Sequence, residues 1–307
     1  DVAAALAGAR DVIAERVSED ADARAELRDL LRTRGVMRSR VRKGQEQAGQ
    51  KFRDWFDFAE PVRSTVSHRV LALRRGEAED VLTVRIQLDE EQALGRLARR
   101  FVHGRGAAAD QVATAVADGW KRLLSVSLET ELRLELKAAA DTEAIRVFAE
   151  NLRELLLAPP LGEKPVLALD PGFRTGCKLV VLDAQGGLRH HDTVFPHTGG
   201  DRARQAGHVV SELAARHRVA AIAVGNGTAG RETETWLRTL DLPAGCTVVM
   251  VNESGASVYS ASAMAREEFP DHDVTVRGAV SIGRRLQDPL AELVKIDPKS
   301  IGVGQYQ

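Results

Sequence analysis

At 307 residues, with 44% hydrophobic and 28% charged residues, the chain carries enough apolar material for two domains of ordinary size. A net charge of −1 excludes a globally basic nucleic-acid binder, so any phosphate-binding surface must be local. No apolar run reaches membrane-spanning length and no signal-peptide pattern opens the chain, so neither a membrane span nor a membrane partner is expected. Two cysteines, Cys177 and Cys246, lack metal-ligand spacing and read as reduced core residues of a cytosolic protein. The chain opens without a Met and ends at Gln305-Tyr306-Gln307 without a closing element, as an excised fragment would.

Residues 1–160 are rich in Ala, Leu, Arg and Glu, with Pro only at Pro61 before Pro159-Pro160. This predicts an all-helical half with a small strand element. Val2, Leu6, Ala9, Ile13 and Val17 recur at helical spacing, and Leu27, Leu30 and Leu31 continue the pattern until Gly35 stops it. Val81 to Leu88 alternates apolar and polar residues and predicts a strand. Residues 67–75 before it read as a partner strand or as a short helix capped by Ser67 and stopped by Gly76, with the helix favoured. From Asp110 to Leu157 long helices are expected, split near Ala140-Asp141-Thr142-Glu143 by a fresh N-cap.

Between positions 32 and 53, Arg32, Arg34, Arg38, Arg40, Arg42, Lys43, Lys51 and Arg53 stand against Glu46 alone. Such a run either neutralises phosphates or forms a solvated face, and the sequence leaves the two readings level. Arg38, Arg40, Arg42, Lys43, Lys51 and Arg53 are the candidate nucleic-acid contacts. The aromatics Phe52, Trp55, Phe56 and Phe58 read as core rather than as base-stacking platforms.

Pro159-Pro160-Leu161-Gly162 closes the helical half, and strand signals begin. Val166 to Leu169 is a buried-strand run with Asp170 at its end, Pro171-Gly172 turns the chain, and Leu179 to Leu182 follows. Gln185-Gly186-Gly187 is a hairpin turn before a third strand, Leu188 to Phe195. A helix over 201–217, a strand over 219–224, a helix over 228–240 capped by Thr228, a strand over 247–251, a helix to about Glu268 and a last helix over 276–294 complete the pattern. The order β-β-β-α-β-α-β-α over 161–294 is that of a ribonuclease-H-like α/β domain with a mixed five-stranded sheet. The chain as a whole is therefore α+β and multi-domain.

In that topology Asp170, Asn226 and Glu253 each end a parallel strand, and Asp288 on the final helix is the natural fourth member. Nucleases of this fold clamp the attacking and leaving oxygens between two Mg²⁺ ions, which demand several oxygen ligands. Asp170, Glu253 and Asp288 are the candidate catalytic and metal residues, with Mg²⁺ the one cofactor they would hold; the neutral Asn226 weakens the set. Each acid also has a plain structural reading, Asp288 as a helix cap before Pro289 and Glu253 as part of a strand-end turn. Gly225-Asn226-Gly227 before a helix admits a third reading, the phosphate loop of an actin-like ATPase, although that architecture needs two such halves.

Asp170-Pro171-Gly172-Phe173-Arg174-Thr175-Gly176 resembles the opening of YqgF/RuvC-like domains. Gly225-Asn226-Gly227-Thr228-Ala229, Asn252-Glu253-Ser254-Gly255-Ala256-Ser257-Val258-Tyr259, Arg277-Gly278-Ala279-Val280-Ser281-Ile282 and Arg284-Arg285-Leu286-Gln287-Asp288-Pro289 resemble the Tex family of bacterial transcription accessory proteins. The match runs on through Ile301-Gly302-Val303-Gly304-Gln305-Tyr306-Gln307, and upstream Lys51-Phe52-Arg53-Asp54-Trp55-Phe56-Asp57 and Ser67-His68-Arg69 resemble that family's helical core. The resemblance implies a cytoplasmic, multi-domain, RNA- or DNA-binding protein associated with the transcription machinery. It assigns residues 1–160 to the helical core, 161–294 to the YqgF-like domain and 295–307 to a linker towards helix-hairpin-helix modules. In that family those modules and an OB-fold RNA-binding domain lie further on. The resemblance favours a nucleic-acid-binding scaffold with a non-catalytic RuvC-like domain; the alternative is a Mg²⁺-dependent structure-selective nuclease using Asp170, Glu253 and Asp288.

Overall fold

The structure, a computed structural model, describes residues 1–301. The chain folds as two compact units that divide between Arg146 and Val147.

The first unit begins with α1 (Val2–Glu19) and α2 (Ala21–Arg34). Asp20 separates them: its carboxylate accepts from the Ala23 N–H at 2.8 Å, satisfying one of the free donors of α2. Then come β1 (Val36–Val41), β2 (Asp57–Pro61), α3 (Ser67–Ala78), β3 (Leu82–Gln87), α4 (Glu90–Phe101) and α5 (Ala107–Gly119). A π-helical turn at Trp120–Leu124 leads into the long α6 (Ser125–Leu156).

The strand element is larger than composition suggests. β1 lies between β2 and β3 in an antiparallel three-stranded sheet. Its residues alternate, Met37 and Ser39 buried and Arg38 and Arg40 exposed, so a period of two overrides the helical composition around it. Met37, Leu82, Val84 and Ile86 face a core shared with Leu27, Leu73, Leu97, Leu124 and Leu128. Phe52 is buried there, and Trp55, Phe56 and Phe58 pack against it, as the core reading of these aromatics requires. The break expected near residues 140–143 does not occur. Asp141 pairs with Lys137 one turn back and the Thr142 hydroxyl donates to the Ala138 carbonyl at 3.0 Å, so both groups bond within the helix instead of starting a new one. Nor does Ser67 cap α3: the N-cap position is Val66, and the helix continues past Gly76 to Ala78.

The second unit holds β4 (Val166–Asp170), β5 (Cys177–Leu182), β6 (Leu188–Val194), α7 (Gly200–Arg216), β7 (Ala221–Gly225), α8 (Gly230–Leu237) and β8 (Thr247–Val251). It closes with α9 (Ala256–Ala261), α10 (Ala263–Glu268), α11 (Val274–Gln287) and α12 (Pro289–Leu293). The sheet order is β6-β5-β4-β7-β8, with β4, β5 and β6 antiparallel and β4, β7 and β8 parallel. This is the mixed five-stranded sheet of the ribonuclease-H-like plan. Side chains alternate across β4. Leu167 and Leu169 face α7 and α8, while Val166 and Ala168 face α11. Both faces are covered, which explains the unbroken apolar run.

β8 keeps its expected bounds, and two others move. β8 is an edge strand with only Val251 fully buried. Thr228 does not cap α8, which starts at Gly230 after Ala229 in a left-handed conformation (φ 65°). The last helix breaks at Asp288-Pro289, because the proline has no N–H to continue it. Ile296 and Ile301 are buried with Tyr259 and Leu293, and Leu152, Leu155 and Leu156 pack on the same cluster. The chain as far as 301 thus folds with the second unit where a linker from 295 was expected; residues 302–307, with the rest of that expected linker and of the family-like motif, lie outside the described residues. Cys177 and Cys246 are both free, and among the described residues no helix is long and apolar enough to cross a membrane.

Candidate functional site

At the carboxyl edge of the five-stranded sheet, Asp170 is the last residue of β4 and continues the Val166, Ala168 face that α11 covers. Antiparallel register sets Lys178 of β5 opposite it. On its other side Leu169 registers with Val224 and Gly225 with Val251, so Gly225 is the β7 neighbour and Glu253 follows two residues beyond the end of β8. The edge therefore reads, strand by strand, as cation, acid, glycine, acid.

Glycine at 225 and 227 makes the space that Glu253 fills. A Cβ at Gly225 would lie 2.2 Å from Glu253 Oε2, and one at Gly227 would lie 1.7 Å from Oε1. The Glu253 carboxylate thus rests on the Gly-Asn-Gly turn, and its Oε2 is buried with no hydrogen-bond partner among the described residues. That carboxylate lies against the turn whose N–H groups the ATPase reading would offer to a phosphate. Asn226 is exposed and acts on the backbone instead. Its Oδ1 accepts from the Glu253 N–H at 3.2 Å, bracing the two strand ends.

Burial pushes the Asp170 carboxyl up to about 6, the nearby Glu253 charge adds to the rise and Lys178 partly offsets it. Arg285 of α11 is 4% exposed and donates from one guanidinium nitrogen to the carbonyls of Asn252 and Ser254, each at 2.8 Å. These carbonyls flank Glu253, so α11 fixes the loop that carries it.

Asp288 does not join this pair. It is exposed and caps α12, its Oδ1 accepting from the Ala291 N–H at 3.0 Å. Its neighbour Gln287 donates to the carbonyls of Lys164 and Asp183 at 2.8 and 2.7 Å, at the amino end of β4 and the far end of β5. The α11 residue that faces Asp170 is Gly278: a Cβ there would meet only Asp170 Oδ2, at 3.6 Å. Ten residues of helix separate it from Asp288, about 15 Å of rise. The expected three-acid cluster is thus corrected to two, because the helix was placed on the sheet by the wrong end. Among the described residues no three His, Cys, Asp or Glu side chains form a metal-ligand group. Two carboxylates, one of them oriented by glycines and flanked by cations, do not fit a pair of Mg²⁺ ions.

The basic run divides differently. Arg38 and Arg40 share the exposed face of the three-stranded sheet, and Arg85 of β3 lies directly opposite Arg38. The facing Arg38 and Arg85, with Arg40 beside them, make this exposed face locally positive. Arg85 reaches Glu129 only at 3.7 Å. Lys43 and Arg53 are exposed and form no ion pair among the described residues. Arg42 pairs with Asp80 at 2.8 Å and Lys51 with Glu79 at 2.6 Å, so both are already answered. Arg85 was missing from the sequence candidates, although the alternation Thr83, Arg85, Gln87 carries its signal. Lys178, Arg285 and Gly278 were also missed; only sheet register and helix placement reveal them.

Two family models match the chain in succession. Residues 1–148 match the family model described as Tex central region-like, and residues 164–287 match the Tex protein YqgF-like domain. Protein tex of Bordetella pertussis is 49% identical over 326 residues, covering 100% of this chain and 41% of the relative. Transcriptional accessory protein Tex of Neisseria gonorrhoeae is 46% identical over 321 residues, with the same coverage. The human S1 RNA-binding domain-containing protein 1 is 34% identical over 319 residues, covering 98% of this chain and 32% of that protein. The chain thus spans about 41% of the length of these bacterial relatives. With the central region and the YqgF-like domain in succession, the chain belongs to the Tex family.

Proposed function

We infer that this chain is the nucleic-acid-binding scaffold of a transcription accessory protein and that its ribonuclease-H-like unit holds nucleic acid without cutting it. The observation that carries the second half is Gly278: where a third carboxylate would complete a metal site against Asp170, α11 presents no side chain. Hydrolysis of a phosphodiester by a pair of ions needs both clamped, and the two acids fall short of that. The alternative, a Mg²⁺-dependent nuclease using Asp170, Glu253 and Asp288, would need Asp288 to leave its cap and cross the length of a helix.

Binding itself is supported by Arg38 and Arg40, which form no ion pair among the described residues, and by the names of the relatives, one a transcriptional accessory protein and one an S1 RNA-binding protein. Arg38, Arg40, Lys43 and Arg53 are the contacts we favour, with Arg85 added. A bacterial cytoplasm is where such a protein would meet RNA or DNA and the transcription machinery. Fluorescence anisotropy with single-stranded RNA and DNA across a salt series tests the assignment. Reversing Arg38 and Arg40 to Glu is expected to lower affinity and to reduce the slope of log K against log salt by about one unit for each lost phosphate contact. An unchanged affinity and slope would return this face to ordinary solvated surface.

A further inference from the structure

The Asp170–Glu253 pair is flanked by two cations that a nuclease-like reading leaves without a role. Lys178 is the registered neighbour of Asp170, and paired residues on antiparallel strands carry their Cβ atoms about 5 Å apart on the same face. Its Nζ donates to the Thr175 carbonyl at 2.9 Å, which ties the ammonium to the loop that leaves Asp170. Its charge acts on Asp170 and on Asp273, the cap of α11, so the ammonium sits among the acids of this edge. On the other side, Arg285 holds the carbonyls before and after Glu253. Its Nε and second terminal nitrogen are buried without hydrogen-bond partners among the described residues, as is Glu253 Oε2. A buried guanidinium is costly unless negative charge answers it, and Glu292 and Glu253 are the acids whose charges do so.

We propose that Lys178 and Arg285 are the resident counter-cations of Asp170 and Glu253, supplying from side chains the charge balance that divalent ions would otherwise bring. The assignment rests on the scaffold reading above and gives it a cause. A divalent ion approaching this edge meets Asp170 with the Lys178 ammonium beside it, and Glu253 with a guanidinium that it shares with Glu292, not an uncompensated charge of minus two. It must also displace or repel the Lys178 ammonium to reach Asp170. Nucleic acid therefore meets an edge that already carries its own cations, and its association with the domain needs no metal.

The test is Mn²⁺ affinity of the chain at pH 8, read by water-proton relaxation, for the wild type, Lys178→Met, Lys178→Gln and Lys178→Arg. The two neutral variants are expected to bind Mn²⁺ about tenfold more tightly than the wild type, the gain expected when one positive charge a few ångströms from a divalent ion is removed. Lys178→Gln keeps a donor for the Thr175 carbonyl, so it separates loss of charge from loss of the loop contact. Lys178→Arg is expected to behave as the wild type, and adding Asp170→Asn to Lys178→Met should abolish the gain. No gain in either neutral variant, or an equal gain in Lys178→Arg, would overturn the counter-cation assignment. Metal-dependent cleavage by the wild-type chain would instead overturn the scaffold reading on which it rests.

Discussion

Arg38 and Arg40 stand in water on the outer face of a three-stranded sheet, whereas Asp170 and Glu253 are drawn into the edge of a five-stranded one. The arginines need nothing from the fold except a strand that alternates, and their charge is available to whatever arrives. The acids need room, provided by Gly225, Gly227 and Gly278, and cations, provided by Lys178 and Arg285. Surface charge of the first kind is nearly free of stability cost and suits a reversible electrostatic partner. Charge of the second kind is expensive, and its upkeep shows in the Asp170 carboxyl held up to about 6.

That contrast can be broken most forcefully through the core next to each site. Leu169→Ala removes a side chain with no exposure, one residue before Asp170, and should cost about 2–5 kcal/mol in urea unfolding. Arg38→Ala should stay within about 0.5 kcal/mol of the wild type, as surface substitutions do. Comparable losses at both positions would mean that the arginine face supports the fold after all.

The pH dependence sharpens the contrast. The folded chain binds the Asp170 proton more tightly than the unfolded chain does, since the carboxyl is raised from its ordinary value to about 6. The stability this contributes is therefore full below about pH 4 and is lost as pH rises through 6. A rise of that size corresponds to about 3 kcal/mol at most. Asp170→Asn should accordingly stabilise the chain by up to about 3 kcal/mol at pH 8 and by almost nothing at pH 4, read as the difference between thermal or urea unfolding at the two values. A gain that is the same at both pH values would show that Asp170 is not held against its charge.

Much of this was legible in the residues, and the reasons differ by region. The buried run Val166–Leu169 with Asp170 at its end, the Pro-Gly turn and the Gly-Gly hairpin are local signals, and the meander follows from them. Parallel register then joins Asp170 to the end of β8, where Glu253 lies. Asp288 was misplaced because a helix crossing a sheet has two ends, and nothing in the periodicity of α11 says which end meets the edge that carries Asp170. Asn226 reads from sequence as a weak ligand, yet its side chain bonds a backbone N–H, a use that residue type alone does not disclose. In the first unit, helical composition masked β1, whose four alternating positions are outnumbered by the Arg, Leu and Ala around them.

A smaller effect separates the cations from one another. Arg42 and Lys51 are paired with Asp80 and Glu79, so their replacement by Ala should change oligonucleotide affinity by less than about twofold to threefold, roughly the contribution of one exposed charge pair. Arg38→Ala with Arg40→Ala should weaken it several times more. The reverse ranking in a salt-matched anisotropy titration would move the interface from the face of the sheet to the turn beyond β1.

The central claim, that this chain binds nucleic acid without cutting it, is tested most directly by incubating the chain with end-labelled single-stranded RNA, single-stranded DNA and a four-way DNA junction, in Mg²⁺, in Mn²⁺ and in EDTA. The account predicts that complexes form equally in EDTA and that no product accumulates beyond the level of an Asp170→Asn control. Cleavage that requires the metal and disappears in Asp170→Asn, while binding persists, would contradict it.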